Sequence, residues 1–176
     1  MALELKFPDG TVKTFPEGTT GYEVASSISP RLAQEALAVA IDDVIYDLAR
    51  PLPKSGEFKV HTFDTPQGKW VFWRSSAHVM AEAVQDLFPG IKLAIGPPID
   101  EGFYYDFDAE KPFTDEDLVR IEKRMAEIVA GNHKFEREEV TREEAIRRAN
   151  KESEPFKIEL IDGLQDQTIS YYKHDH

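Results

Sequence analysis

The sequence predicts an α+β protein in two segments that meet near Pro66. Three patterns carry that reading. In roughly the first 65 residues, short runs of alternating apolar and polar residues surround one capped helix, the pattern of a sheet packed on a helix. Longer helical periodicities dominate the rest of the chain. Between the two segments lies a polar turn, Asp64-Thr65-Pro66-Gln67-Gly68.

In the first segment Leu3, Leu5 and Phe7 alternate with polar residues, Pro8-Asp9-Gly10 supplies a turn, and residues 11–15 resume an extended pattern. That is a β-hairpin. Thr20 stands three residues before Glu23, a capping-box spacing, and Tyr22, Val24, Ala25 and Ile28 follow as one helix that Ser29-Pro30 ends. Ala38–Ile41 and Val44–Tyr46 flank Asp42-Asp43 as a second hairpin, and residues 58–63 form a further strand.

The second segment opens with an extended aromatic stretch, residues 69–73. Ser75 or Ser76 then caps a helix that runs to about Phe88, with Met80, Ala83, Val84 and Leu87 as its apolar stripe and Pro89-Gly90 as its stop. Residues 91–95 read as a short strand, 96–102 as a loop and 103–107 as an aromatic strand. Thr114, three residues before Asp117, opens a long helix whose core stripe is Leu118, Ile121, Met125 and Ile128, and Gly131-Asn132 ends it. Thr141 and Glu144 open a last short helix through Ala145, Ile146 and Ala149. There is no internal repeat and no low-complexity tract.

Composition narrows the function classes. The 176 residues suffice for one medium domain or two small ones, and 41% hydrophobic with 11% aromatic residues can bury a core. No apolar run approaches the roughly 20 residues of a membrane span, and MALELKFPDG lacks the basic and apolar regions of a secretory signal. With no cysteine, the chain offers no disulfide, thiolate nucleophile or thiolate-bound metal, which fits a cytoplasmic protein. The formal charge is −12; residues 1–66 hold six basic against ten acidic residues, and the remainder fifteen against twenty-three. Neither part has the basic excess of an autonomous nucleic-acid binder, so any RNA contact is local or supported by other parts of a larger protein.

Two stretches go beyond architecture: Arg74-Ser-Ser-Ala-His78-Val-Met-Ala-Glu-Ala-Val at a helix start, and Lys92-Leu-Ala-Ile-Gly-Pro-Pro-Ile-Asp-Glu-Gly-Phe-Tyr-Tyr-Asp-Phe-Asp108. Together they resemble the second domain of threonyl-tRNA synthetases, where a His-x-x-x-His pair on a helix precedes an Ala-Ile-Gly-Pro…Gly-Phe-Tyr-Tyr-Asp block. Pro8-Asp-Gly, Pro16-Glu-Gly-Thr-Thr, Ser27-Ile-Ser-Pro and Asp47-Leu-Ala-Arg-Pro resemble the same family's TGS domain, a ubiquitin-like β-grasp fold. The resemblance covers essentially the whole chain. It implies a TGS domain over residues 1–64 and, over 67–176, the N-terminal part of a tRNA editing domain. It also implies a cytoplasmic class II parent enzyme that joins threonine to tRNA(Thr) with ATP. ATP, Mg and Zn would belong to its catalytic domain, outside these residues, and so would the contacts of a homodimer. No cofactor or metal is expected within the chain, the partner is the acceptor end of tRNA(Thr), and no membrane is involved.

In that family the second domain removes serine wrongly attached to the tRNA. Serine is threonine minus a methyl, worth only about 1–3 kcal/mol of discrimination, so a separate hydrolytic site is needed. The second histidine of the helical pair falls on His78. The first position, one turn earlier, holds Arg74. Arginine cannot accept a proton near neutral pH, and its charge disfavours an imidazolium at His78. By resemblance, Lys157 joins His78 in catalysis, while Tyr105 and Asp100 join Arg74 in binding substrate. The family's Cys-x-x-x-His element is expected just beyond Tyr171-Tyr-Lys-His-Asp-His176, and the editing site of these residues alone is therefore expected to be inactive. Taken without the resemblance, His78 is a structural or surface histidine and Arg74 the partner of Glu82 or another acid. Tyr104 and Tyr105 alternate between core and cleft on a strand, and Lys157 is a solvated strand lysine. His174-Asp-His176 mimics a metal pair, but zinc needs three or four ligands. The rival functions are a TGS-type regulatory module without catalysis and a freestanding deacylase.

Overall fold

The computed structural model describes residues 2–152, 154–164 and 168–174, and the chain divides into two compact units, Met1–Trp73 and Arg74–His176.

In the first unit, strand β1 (Leu3–Lys6) pairs antiparallel with β2 (Val12–Phe15). The Asp9 carboxylate fastens the turn by accepting from the Thr11 amide (2.9 Å) and hydroxyl (2.6 Å), and Gly10 takes the left-handed φ of +85° that the reversal requires. Helix α1 (Gly21–Ile28) starts at the expected capping box, with Thr20 and Glu23 bonded reciprocally. Ser29 ends this helix and also begins another. Its hydroxyl accepts from the Leu32 amide at 3.0 Å, and Pro30 opens α2 (Pro30–Glu35), so two helices stand where one was expected. Strands β3 (Ala38–Ile41) and β4 (Val44–Tyr46) turn through Asp42 and Asp43, both with positive φ, as a two-residue hairpin demands. The fifth strand, β5 (Gly56–His61), lies two residues earlier than the periodicity suggests. The sheet order is β2-β1-β5-β3-β4; β1 and β5 run parallel and every other pair antiparallel. Its inner face buries Leu3, Leu5, Phe7, Val39, Ile41 and Phe58 with Val24 of α1 and Leu52. This is a β-grasp arrangement.

Helix α3 (Pro66–Leu87) corrects the expected extended stretch at 69–73, which is helical. The cause is local. The Thr65 hydroxyl donates to the Thr62 carbonyl (3.0 Å) and accepts from the Gly68 amide (3.1 Å), and Pro66 occupies the first helical position. Capping overrides the strand preference of Trp70-Val71-Phe72-Trp73, and Phe72 and Trp73 pack edge-on against Phe63.

In the second unit, the later part of α3 packs Val79, Ala83 and Val84 against Ile121 and Ile128 of α4 (Asp115–Ala130), which begins at the predicted Thr114–Asp117 box. Leu118 departs from the expected core stripe: it is 55% exposed. Between these helices the chain folds as nested two-residue pairings, β6 (Lys92–Leu93) with β9 (Phe107–Asp108) and β7 (Pro98–Ile99) with β8 (Gly102–Phe103). The expected loop at 96–102 therefore contains a strand, and the aromatic strand at 103–107 is interrupted. Strand β10 (Phe135–Thr141) leads into α5 (Arg142–Lys151), capped by Thr141, then α6 (Pro155–Gly163) and β11 (Thr168–His174), which pairs antiparallel with β10. Val140, Ala145, Ala149, Ile161 and Ile169 form their core. Lys157, read alone as a strand residue, sits on helix α6. Among the described residues no helix is long and apolar enough to cross a membrane. Of the histidines considered as a metal pair, His176 lies outside the described residues.

Candidate functional site

Arg74, His78 and Glu82 recur every fourth residue of α3 and so share one face, with Gln85 continuing it three residues later. His78 is half-buried. Burial pushes its imidazole below the ordinary histidine value, and the positive charges of Arg74, Lys157 and His174 push further in the same direction. Near neutral pH this favours the uncharged ring, which has one nitrogen able to accept a hydrogen bond. The Phe135 ring, at the start of β10, lies 6.4 Å from it between centroids.

Glu82 reaches strand β11. Its Oε2 lies 2.6 Å from Nδ1 of His174 at the end of β11, with both side chains largely buried. The other ring nitrogen of His174 lies 3.1 Å from the His133 carbonyl, and the ring stacks on Phe135 at 4.4 Å with planes 20° apart. Lys157 approaches the same place from α6. Its Nζ is 3.6 Å from Glu152 Oε2, a half-exposed pair of small energetic weight.

Tyr105 belongs to an adjoining group. Of the two alternating tyrosines it is the inward one, half-buried, while Tyr104 is exposed. Its ring stacks on Phe107 at 5.0 Å and lies against Gly96, where any Cβ would run into it. That contact explains a glycine at 96 without recourse to backbone freedom. Burial raises the Tyr105 phenol, and the Glu154 carboxylate adds to the effect. Glu154 is itself buried; Oε1 accepts from Gln85 Nε2 at 3.1 Å and Oε2 from the Leu93 amide at 3.3 Å. Through Gln85 the tyrosine group adjoins the helix that carries His78. Asp100 sits at the exposed tip of the β7–β8 turn, and no described bond joins it to His78.

The structure thus gathers Arg74, His78 and Lys157, sets Tyr105 beside them through Glu154 and Gln85, and leaves Asp100 apart. Sequence reasoning missed Glu154 altogether. It named Glu82 and His174 only in other roles; the one available signal was Glu82's spacing of four residues from His78.

Comparison with known proteins bears on this arrangement. Residues 5–62 match the TGS domain. The threonine--tRNA ligase of Carboxydothermus hydrogenoformans is 47% identical over 172 residues, 97% of this chain and 27% of that protein. The ligase of Caldanaerobacter subterraneus subsp. tengcongensis is 43% identical over 173 residues (98% and 27%), and that of Chlorobaculum tepidum 44% over 174 (97% and 26%). The chain is homologous to the N-terminal region of the threonine--tRNA ligases. It spans about a quarter of the length of these relatives. The TGS match takes in most of the five-stranded sheet, and the similarity to the relatives continues through α3 and the elements around His78.

Proposed function

We propose that this chain is the N-terminal part of a threonine--tRNA ligase, with a TGS domain followed by residues of an editing site that hydrolyses seryl-tRNA(Thr), and that Arg74 weakens that hydrolysis. The observation that supports it is the setting of His78: a partly buried imidazole beside Arg74 and Lys157, where burial and positive charge both disfavour the imidazolium. Ester hydrolysis needs a water held beside the carbonyl, a group to take its proton, and positive charge where the oxyanion develops. His78 is the acceptor. Lys157 and Arg74 supply the positive charge, and Tyr105, resting on Gly96, forms a wall for the substrate. Aminoacylation, with ATP and its metal ions, and the dimer contacts would reside in the rest of the ligase, and the tRNA acceptor end would be the partner of both sites.

Arg74 cannot serve as the second acceptor that a histidine there would provide. In a form of the protein extended through the Cys-x-x-x-His element implied by the family resemblance, Arg74→His should raise seryl-tRNA deacylation by about 10²–10⁴-fold, the range of one acid–base group. In residues 1–176 alone, neither the wild type nor Arg74→His should exceed the rate in buffer, because a partly assembled site does not give a proportionate rate. The measurement is deacylation of seryl-tRNA by both lengths, each with arginine and with histidine at position 74. Equal activity of the two long forms would place residue 74 outside the chemistry and overturn the proposal.

A further inference from the structure

We infer that His174 is a positioning residue for His78, a clasp that ties the end of β11 to α3 and sets the wall and the charge that His78 faces. The link to hydrolysis rests on the function proposed above; the clasp itself rests on geometry.

The first observation is that both ring nitrogens of His174 face oxygens: the Glu82 carboxylate at 2.6 Å and the His133 backbone carbonyl at 3.1 Å. A carbonyl can only accept, so one nitrogen must carry hydrogen. The contact to Glu82 is the shorter of the two. The His174–Glu82 pair accordingly holds its partners through two directional bonds, and one of them spans 92 positions of sequence.

The second observation concerns what those bonds hold. Phe135 and His174 are register partners at the ends of β10 and β11, so their stacking is what neighbouring strands ordinarily provide. The bond to Glu82 is different, because it fastens that strand end to a helix. Phe135 lies against His174 on one side, and its ring is also the one that approaches His78. Displacing His174 therefore displaces the aromatic wall of the site. Glu82 is one helical turn from His78, so the clasp closes on the same stretch of α3 that presents the imidazole.

The third observation is electrostatic. The charged and titratable groups around His78 are Arg74 and Glu82 on its own helix, Lys157 on α6, and His174 on β11, with His133 edge-on to His174 at 5.8 Å. A charge on His174, like those of Arg74 and Lys157, disfavours a charged His78. Removing it makes the imidazolium easier to form.

The test uses residues 1–176 and histidine side-chain NMR, with no tRNA present. His174→Gln should move the His78 titration to higher pH. It should also speed amide exchange near Phe135 roughly ten- to a hundredfold, the range that one charge-assisted hydrogen bond represents. His174→Lys restores a cation able to reach Glu82 and should return both readouts towards the wild type. A residue that only fills space would change exchange and leave the His78 titration unmoved. An unmoved His78 titration in His174→Gln overturns the inference, as does a lysine variant no different from the glutamine one. In the extended protein carrying histidine at position 74, His174→Gln should lower seryl-tRNA deacylation. If the titration moves and deacylation does not, the clasp stands and the editing assignment fails.

Discussion

Replacing Glu154 by alanine removes the acceptor that holds strand β6 in place. Glu154 is 5% exposed and accepts two bonds, from Gln85 Nε2 and from the Leu93 amide. The two donors fare differently after the change. Gln85 is exposed and can turn to water, so its loss is small. Leu93 is buried, and its N–H would be left without a partner, at a cost of about 1–3 kcal/mol. Relief of the carboxylate's own desolvation offsets part of this, while the space left by the side chain adds to it. Together these give about 2–4 kcal/mol for Glu154→Ala. Glu154→Gln keeps a carbonyl acceptor at the same reach and should cost about 1 kcal/mol or less. Urea unfolding followed by circular dichroism gives the stabilities, and hydrogen exchange at Leu93 shows where they are lost. The glutamine variant has a second signature. Burial keeps the Tyr105 phenol above its ordinary value in any case, but without the Glu154 charge it should titrate lower than in the wild type, which tyrosine-labelled NMR can read. An alanine variant within about 0.5 kcal/mol of the wild type, with Leu93 equally protected, would refute the reasoning.

Two further outcomes rest on the same geometry. Burial depresses both His78 and His61 below the ordinary histidine value of 6.5, so each contributes stability that is present above that value and is lost as pH falls through the folded-state value. Melting temperatures between pH 8 and 5 should fall on the acid side, and His78→Gln should flatten that fall without abolishing the His61 part. Gly96→Ala should drive the Tyr105 ring off its seat at a cost of about 1–3 kcal/mol, as overpacking does, and melting temperature with the Tyr105–Phe107 NMR contacts will register it.

Much of the fold was legible because it is specified over three or four residues. Thr20 with Glu23 and Thr114 with Asp117 announce their helices and make the expected bonds, and Asp42-Asp43 makes a turn wherever it stands between two apolar runs. The errors came where two local signals disagreed or where neither was present. Residues 69–73 are rich in strand formers, yet Thr65 and Pro66 cap a helix through them, and a cap with a following proline outweighs side-chain preference. Strand β10 reads Phe-Glu-Arg-Glu-Glu-Val-Thr and buries only Val140, so alternation could not reveal it; its hydrogen-bonding partner lies some thirty residues away.

The site divides along the same line. His78 and Arg74 were singled out because helical spacing and a family motif both act within one turn, whereas Glu82–His174 and Glu154–Leu93 join positions 92 and 61 residues apart and leave no local trace. The distant contacts change what the arginine means. Read from sequence, Arg74 subtracts an acceptor from a helical pair and sets a positive charge near His78. In the fold that charge faces a half-buried imidazole together with Lys157, and after burial it is the next largest influence disfavouring the imidazolium. In the hydrolysis proposed above those two effects would oppose each other: one acceptor fewer would slow proton removal, while positive charge nearby would help to hold an oxyanion. The acceptor is the larger loss, because one positioned acid–base group is worth about 10²–10⁴ in rate, whereas Lys157 already supplies a cation at the same place.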